Sequence, residues 1–86
     1  MKIIVSPKAE RQLRKLPRFD QIAITKKLSL LFSFTGNEEK LAGFSHTYRV
    51  RVGNYRIVYK KISESIYIFL IAHRRDVYKI VKELIG

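Results

Sequence analysis

Three arginines near the middle of the chain are spaced so that they can bind a phosphate group. Arg49, Arg51 and Arg56 alternate with apolar residues on the two sides of the pair Gly53-Asn54. A guanidinium group presents a planar fork of donors that matches phosphate oxygens, and it stays charged throughout the physiological pH range. Such a cluster can bind an RNA backbone and can stabilise the charge that develops on a pentacoordinate phosphorus during RNA cleavage.

The turn between the two basic segments predicts how the arginines are arranged. A two-residue hairpin loop at Gly53-Asn54 gives five opposed pairs: Val52 with Tyr55, Arg51 with Arg56, Val50 with Ile57, Arg49 with Val58, and Tyr48 with Tyr59. Because side chains alternate across a strand, the three arginines share one face and the apolar residues share the other. Like charges directly opposite destabilise a sheet, so the Arg51–Arg56 pair indicates a functional requirement.

The next turn, at Ser63-Glu64-Ser65, leaves two registers open. A three-residue loop places Ala72 opposite Arg56, adds Arg74 to the basic face and points Phe69 and Ile71 toward the core. A two-residue loop places His73 on the basic face instead. Since the segment 66–72 is apolar on both faces, its pattern does not decide between them.

Two helices are predicted before the basic segment. Ser6-Pro7 has the form of an N-cap followed by proline at the first helical position, and this helix extends to about Lys15. Pro17 interrupts it. A second helix follows from about Arg18 to Thr35 and stops at Gly36-Asn37. Helices joined by so short a connection form an antiparallel hairpin that packs on a sheet.

The predicted fold class is α+β, in a single domain spanning residues 1–86. An N-terminal strand over Lys2–Val5 precedes the helical hairpin, residues 38–46 form a loop, and a three-stranded antiparallel meander follows. Residues 76–85 form a short helix or an extended tail. We expect the helices to pack on one face of a four-stranded, mainly antiparallel sheet.

The composition predicts a polyanionic or acidic partner and excludes several kinds of site. The chain has 18 Lys and Arg against 7 Asp and Glu, a net charge of +11, and no acid between Lys40 and Ser63. It has two His and no Cys, so a zinc site lacks ligands, and its four glycines are scattered rather than grouped in a phosphate-binding loop. No pair of carboxylates is expected in or near the basic strands, and no cofactor or metal is expected.

No leader or membrane span is predicted, so the cytoplasm is the expected location.

The segments YRVRVGNYRIVYKK and HRRDVY, with the apolar strand between them, together resemble the RelE branch of the RelE/ParE toxins of bacterial and archaeal toxin–antitoxin systems. The resemblance implies an endoribonuclease that cuts messenger RNA on the ribosome, by attack of a 2′-hydroxyl on the adjacent phosphate. It also implies an antitoxin partner, which would neutralise by adding a helix or strand over the basic face or by displacing the C-terminal segment. Two alternatives are a ParE-like toxin that inhibits DNA gyrase by binding it, and an inactive RNA-binding homologue.

The resemblance also implies roles for individual residues. Arg56 stabilises charge, Arg74 stabilises the leaving group or acts as general acid, and Tyr78 orients the substrate. Arg49, Arg75 and Lys60 are assigned to RNA binding, and Arg51 and His73 complete the catalytic set. Arg51 departs from the family pattern because related proteins have a lysine there, and a guanidinium is a poor general base. The proton acceptor is therefore open between solvent, a ribosomal group, His73 and His46.

Overall fold

The computed structural model describes residues 2–30, 38–41 and 43–85 and confirms an α+β fold. In chain order its elements are β1 Lys2–Val5, α1 Pro7–Arg14, α2 Arg18–Ser29, β2 Glu38–Lys40, β3 Thr47–Val52, β4 Tyr55–Ile62, β5 Ser65–His73 and α3 Val77–Ile85. The strands form one sheet in the order β1-β5-β4-β3-β2, with β1 parallel to β5 and the other pairs antiparallel. In the described ranges none of these helices is long and apolar enough to cross a membrane.

The helical hairpin forms as its capping residues predict. The Ser6 side chain accepts a hydrogen bond of 3.0 Å from the backbone N–H of Ala9, and Pro7 occupies the first helical position. Gln21 of α2 donates to the backbone carbonyl oxygen of Leu16 at 2.8 Å, which ties the two helices together across their connection. The second helix ends at Ser29, with Leu30 as its C-cap, earlier than predicted; residues 31–35 of its predicted length and its predicted stop at residues 36–37 lie outside the described residues.

The register of β3 against β4 matches the predicted hairpin at all five opposed pairs. The β4–β5 pair combines the two predicted alternatives. Ile62 lies opposite Ser65, as in a two-residue loop, but a β-bulge between Val58 and Tyr59 shifts the register by one residue, so Ala72 lies opposite Arg56. The extra residue of the bulge is Phe69.

Because of the bulge, the expectation that Phe69 points to the same core as Ile71 was wrong. It packs with Leu70, whereas Ile71 faces the helical hairpin. The reason is that one inserted residue reverses the alternation of side chains along the rest of the strand.

The sheet is covered on both faces, not on one as expected. The hairpin of α1 and α2 packs on the first face, whose core comprises Ala9, Ile24, Leu28, Val50, Ile57, Tyr59, Ile66, Ile68 and Ile71. The second face has its own buried cluster, comprising Leu41, Val58, Leu70, Ala72, Val77 and Val81. Residues 76–85, predicted as a helix or a tail, therefore hold a helix, α3, because apolar strand residues on that face need a cover. We call these the hairpin face and the arginine face.

A fifth strand, β2, replaces part of the loop predicted at residues 38–46. Glu38–Lys40 pairs antiparallel with β3 at the edge of the sheet, and Glu39 lies opposite Arg49. Its composition is poor for a strand, since Glu and Lys have low β propensity. The pairing is instead supported by opposite charges placed directly across from each other.

Candidate phosphate-binding site

The arginine face carries a small pocket at the end nearest the turn Gly53-Asn54. Arg49, Arg51, Arg56 and Glu39 line this pocket, which has a volume of about 120 Å³. The β3–β4 register brings the three guanidinium groups to one face, and the pairing of β2 with β3 adds the carboxylate. We call this set the arginine pocket. It is smaller than the clefts of about 300 to 1,000 Å³ that typically hold small-molecule ligands and cofactors.

Arg49 is the arginine that is already partnered. Its Nη2 and Nε lie 2.6 and 3.2 Å from Oε2 of Glu39, and its Nη1 donates to the hydroxyl of Tyr78. The guanidinium also lies 4.9 Å from the centroid of the Tyr78 ring. The hydrogen bond from Arg49 holds the pKa of Glu39 below its ordinary value, and the same bond raises the pKa of Arg49. The carboxylate is therefore ionised at neutral pH.

Arg51 and Arg56 face each other across the strands without a neutralising partner. Among the described residues no carboxylate forms an ion pair with either of them. Arg56 donates from Nη1 to the backbone carbonyl oxygens of Tyr55 and Gly53, at 3.1 and 3.4 Å, so its position is fixed by neutral acceptors. Burial lowers the pKa of Arg56, followed by the charges of Arg51, Arg49 and Arg74. These guanidinium groups remain available to an incoming anion.

Arg74 and Tyr78 lie beside the pocket. The backbone N–H of Arg74 donates to the carbonyl oxygen of Asn54 at 2.8 Å, which joins the turn after β5 to the β3–β4 turn. Tyr78 projects from α3, and 55% of its surface is exposed. It reaches Arg49 because Arg49 lies opposite Val58, which α3 covers. The structure thus brings together Arg49, Arg51, Arg56 and Tyr78, with Arg74 close enough to affect Arg56 electrostatically.

Three predicted site residues lie apart from the pocket. His73 packs edge-on against Tyr55, with ring centroids 5.8 Å apart, and its Nδ1 accepts a hydrogen bond of 3.2 Å from the backbone N–H of Arg75. Tyr55 belongs to the hairpin face, so this His lies away from the arginines. Arg75 is exposed in the turn after β5. Lys60 shares a face with Arg56 but lies four residues along β4, about 13 Å away.

Glu39 was missed by the sequence analysis, and the expectation that no pair of carboxylates lies in or near the basic strands was wrong. Both Glu38 and Glu39 lie on β2, directly beside β3. They occupy opposite faces of the sheet, since Glu39 contacts Arg49 whereas Glu38 contacts Tyr59 of the hairpin face. The available signal was a pair of acids immediately before an acid-free basic segment, which favours a charge-complementary pairing. In the described parts of the chain no three metal-ligating side chains are grouped together.

The fold is similar to that of solved toxins of the RelE type. The isolated Escherichia coli RelE toxin is 26% identical, with a TM-score of 0.69 and coverage of 98% of this chain and 97% of that chain. The toxin in the intact E. coli RelBE toxin–antitoxin complex is 27% identical, with a TM-score of 0.68 and coverage of 83% and 93%. A chain of the RelB–RelE complex from Methanococcus jannaschii has the same fold at 23% identity, with a TM-score of 0.72 and coverage of 87% and 94%.

The sequence itself places the chain in a family. Residues 3–78 match the family model described as the ParE toxin of the type II toxin–antitoxin system parDE. A search of curated proteins finds no match. The chain belongs to the ParE toxin family, within the RelE/ParE superfamily, and is a toxin of a type II toxin–antitoxin system.

Proposed function

We propose that this toxin inhibits translation by cutting messenger RNA on the ribosome. The observation that carries the proposal is the Arg51–Arg56 pair, which lies directly across two strands and has no carboxylate partner among the described residues. Repulsion within such a pair destabilises the free protein, and this cost is offset only when an anion binds between the guanidinium groups. A phosphodiester of RNA supplies that anion. The ribosome and its messenger RNA are the proposed targets, which puts the toxin's site of action in the cytoplasm.

In the proposed reaction the 2′-oxygen attacks the adjacent phosphorus and the bond from phosphorus to the 5′-oxygen breaks. The products are a 2′,3′-cyclic phosphate and a new 5′-hydroxyl. Arg51 and Arg56 neutralise the extra charge on the phosphorane, and Arg74 stabilises the leaving 5′-oxygen, which takes a proton from water to become the 5′-hydroxyl. Tyr78, with its exposed ring beside the pocket, stacks on a base and orients the substrate.

Glu39 fills the role for which Arg51 is unsuited. The proton of the 2′-hydroxyl needs an acceptor, and a guanidinium cannot accept it. The carboxylate of Glu39 lines the same pocket, and Arg49 keeps its pKa low, so it is in the basic form at neutral pH. We therefore assign proton acceptance to Glu39 in place of His73, which faces the other side of the sheet.

The proposed protein partner is a cognate antitoxin with an acidic surface. Two of the solved structures compared above, one from E. coli and one from M. jannaschii, are complexes of a RelE toxin with a RelB antitoxin. An acidic segment laid over the arginine pocket would compete with RNA for the same guanidinium groups. Neutralisation by occlusion of this face needs no change in the fold. No small-molecule cofactor enters the proposed reaction.

The test is to express the toxin without antitoxin and to map the 5′ ends of translated transcripts. We expect cuts inside reading frames that disappear in an Arg56→Ala variant and persist in a matched Arg11→Ala variant, whose arginine lies exposed on α1. The new ends should carry a 5′-hydroxyl. Intact transcripts in growth-arrested cells would refute the proposal.

A second candidate function is inhibition of DNA gyrase, which is favoured by the family model, since that model is of ParE toxins. It predicts accumulated gyrase–DNA breaks with unbroken transcripts. It also predicts that Arg51 and Arg56 can be replaced with little loss of toxicity, because protein binding does not require an uncompensated pair of cations. The same variants therefore separate the two functions.

A further inference from the structure

A second polar network lies on the hairpin face, directly behind the arginine pocket. The carboxylate of Glu38 accepts hydrogen bonds from the hydroxyl of Tyr59 and from Nζ of Lys61. The Lys61 ammonium lies 4.7 Å from the centroid of the Tyr48 ring, and that ring stacks on Tyr59 with centroids 6.1 Å apart. We call these four residues the Glu38 network. The phosphate chemistry proposed above uses none of them.

The network is unusually well buried for a strand at the edge of a sheet. Tyr59 is 0% exposed, and the side chain of Glu38 retains only 11% of its exposure. Burial raises the pKa of Tyr59, and the hydrogen bond to Glu38 raises it further, so its phenol stays protonated and keeps donating. A carboxylate buried to this extent is retained only when it is paired and hydrogen-bonded, and Glu38 is both.

Strand β2 is three residues long, it pairs with β3 alone, and its sequence Glu-Glu-Lys is unfavourable for a strand. Its other anchors in the described residues are the Glu39–Arg49 ion pair and Leu41, which follows the strand, is buried in the arginine-face cluster and donates its backbone N–H to the carbonyl oxygen of Thr47 at 2.9 Å. Backbone hydrogen bonds fix the distance between β2 and β3. They do not fix the register of the pair, because β2 itself has no apolar face. A slip of one residue would move Glu38 to the arginine face and Glu39 to the hairpin face. Anchors on both faces, Glu38 on the hairpin face and Leu41 on the arginine face, therefore determine which carboxylate reaches the pocket.

We propose that Glu38 is a positioning residue, anchored by Tyr59 and Lys61, which fixes the register of β2 so that Glu39 is held against Arg49 in the arginine pocket. Since successive side chains point to opposite faces, fixing Glu38 on one side fixes Glu39 on the other. The role assigned to Glu39 in catalysis rests on the function proposed above. The control of its position by the Glu38 network does not.

Four variants distinguish loss of the anchor from a general loss of stability. Tyr59→Phe removes the buried donor and keeps the ring, and Lys61→Gln removes the ion pair at a less buried position. Glu38→Gln keeps an acceptor for Tyr59 and loses only the charge. Ile24→Val is the control, because it trims the same hairpin-face core by one methylene without touching β2.

The first measurement is made on the free toxin by nuclear magnetic resonance, with no RNA present. In Tyr59→Phe and Lys61→Gln we expect the pKa of the Glu39 carboxyl to rise toward 4.5, its ordinary value, and hydrogen exchange of the β2 amides to accelerate about tenfold or more. Glu38→Gln should give an intermediate effect, and Ile24→Val should leave both quantities as in the wild type. An unchanged Glu39 pKa in both anchor variants would overturn the proposal, as would an equal change in Ile24→Val.

The second measurement is single-turnover cleavage of messenger RNA on programmed ribosomes. If Glu39 also acts in the reaction, the anchor variants should lose about tenfold in the maximal rate with little change in the concentration needed for half-saturation. If wild-type toxin cuts no RNA, the proposed function fails, while the Glu39 pKa and the amide exchange still decide whether the network positions β2. A variant that fails to fold is recognised by its lost amide dispersion, and the other anchor variant then decides.

Discussion

The pair Arg51–Arg56 should cost the free toxin stability that is recovered when either charge is removed. The two residues are directly opposed on β3 and β4, and burial and the charge of Arg51 together lower the pKa of Arg56. We expect Arg51→Gln, which keeps a long polar side chain, to raise the free energy of unfolding while abolishing RNA cleavage. A gain in stability at the expense of function is the signature of a functional site.

The expected gain follows from simple electrostatics. Two unit charges about 6 Å apart in an aqueous environment repel by about 0.7 kcal/mol. This agrees with the range of about 0.2 to 1 kcal/mol for cross-strand pairs. In a domain of this size a change of that magnitude raises the melting temperature by about 3 to 6 °C. Because the pair is largely exposed, about 1 M salt should screen it and remove most of the gain.

The assay is thermal unfolding of wild type and variant at low and at high salt. Lys2→Gln is the matched control, since it removes one exposed strand charge from β1 at the far edge of the sheet. It reports the effect of lowering the net charge of +11 without relieving a local pair. If Arg51→Gln is no more stable than Lys2→Gln at low salt, or if its gain is independent of salt, the cross-strand repulsion is not the cost inferred here.

Three further predictions concern the pocket itself. Arg56→Ala should lower cleavage by about 10² to 10³, and Arg56→Lys should restore little of it, because an ammonium does not reproduce the forked donor; single-turnover rates measure both. Glu39→Gln should reduce the maximal rate and flatten the acid limb of the pH–rate profile. In the wild type that limb should lie below pH 4.5, because a depressed pKa keeps the carboxylate ionised down to lower pH and its loss begins only as pH falls through the folded value. Tyr78→Phe should retain most activity and Tyr78→Ala should not, since the ring rather than the hydroxyl is proposed to stack; equal losses in ribosome-bound cleavage would contradict that role.

The meander was predictable because its turn and its pattern point to the same register. Gly53 adopts a φ of +58° in the two-residue turn, a conformation that glycine favours, and from there the alternation fixes every opposed pair of β3 and β4. The N-cap at Ser6 was equally local. Each of these features depends on a few neighbouring residues, and for that reason the sequence alone reveals them.

The bulge at Phe69 was not predictable in the same way. The segment 66–72 is apolar on both faces. A one-residue insertion therefore replaces one apolar side chain by another on each face and does not change the hydrophobic pattern of the sequence. The position of α3 could not be predicted for a related reason. Its apolar residues were recognised, but the buried surface on the arginine face that receives them comes from β4 and β5 and is visible only once their register is known.

Strand β2 could not be predicted from the local sequence pattern, and it adds the carboxylate of Glu39 to the arginine pocket. Three guanidinium groups alone would give the arginine pocket a charge of +3, whereas the carboxylate of Glu39 reduces it to +2. A phosphodiester carries one negative charge, and the phosphorane formed by attack of a deprotonated 2′-oxygen carries two. When Glu39 accepts the proton of the 2′-hydroxyl it becomes neutral, so the charge of the pocket rises from +2 to +3 as the phosphorane gains its second negative charge. A change of that kind favours the transition state over the bound substrate and accelerates a reaction instead of merely retaining RNA. Because Glu39 is paired with Arg49, the unpartnered Arg51 and Arg56 supply that charge at the point where the two strands oppose them.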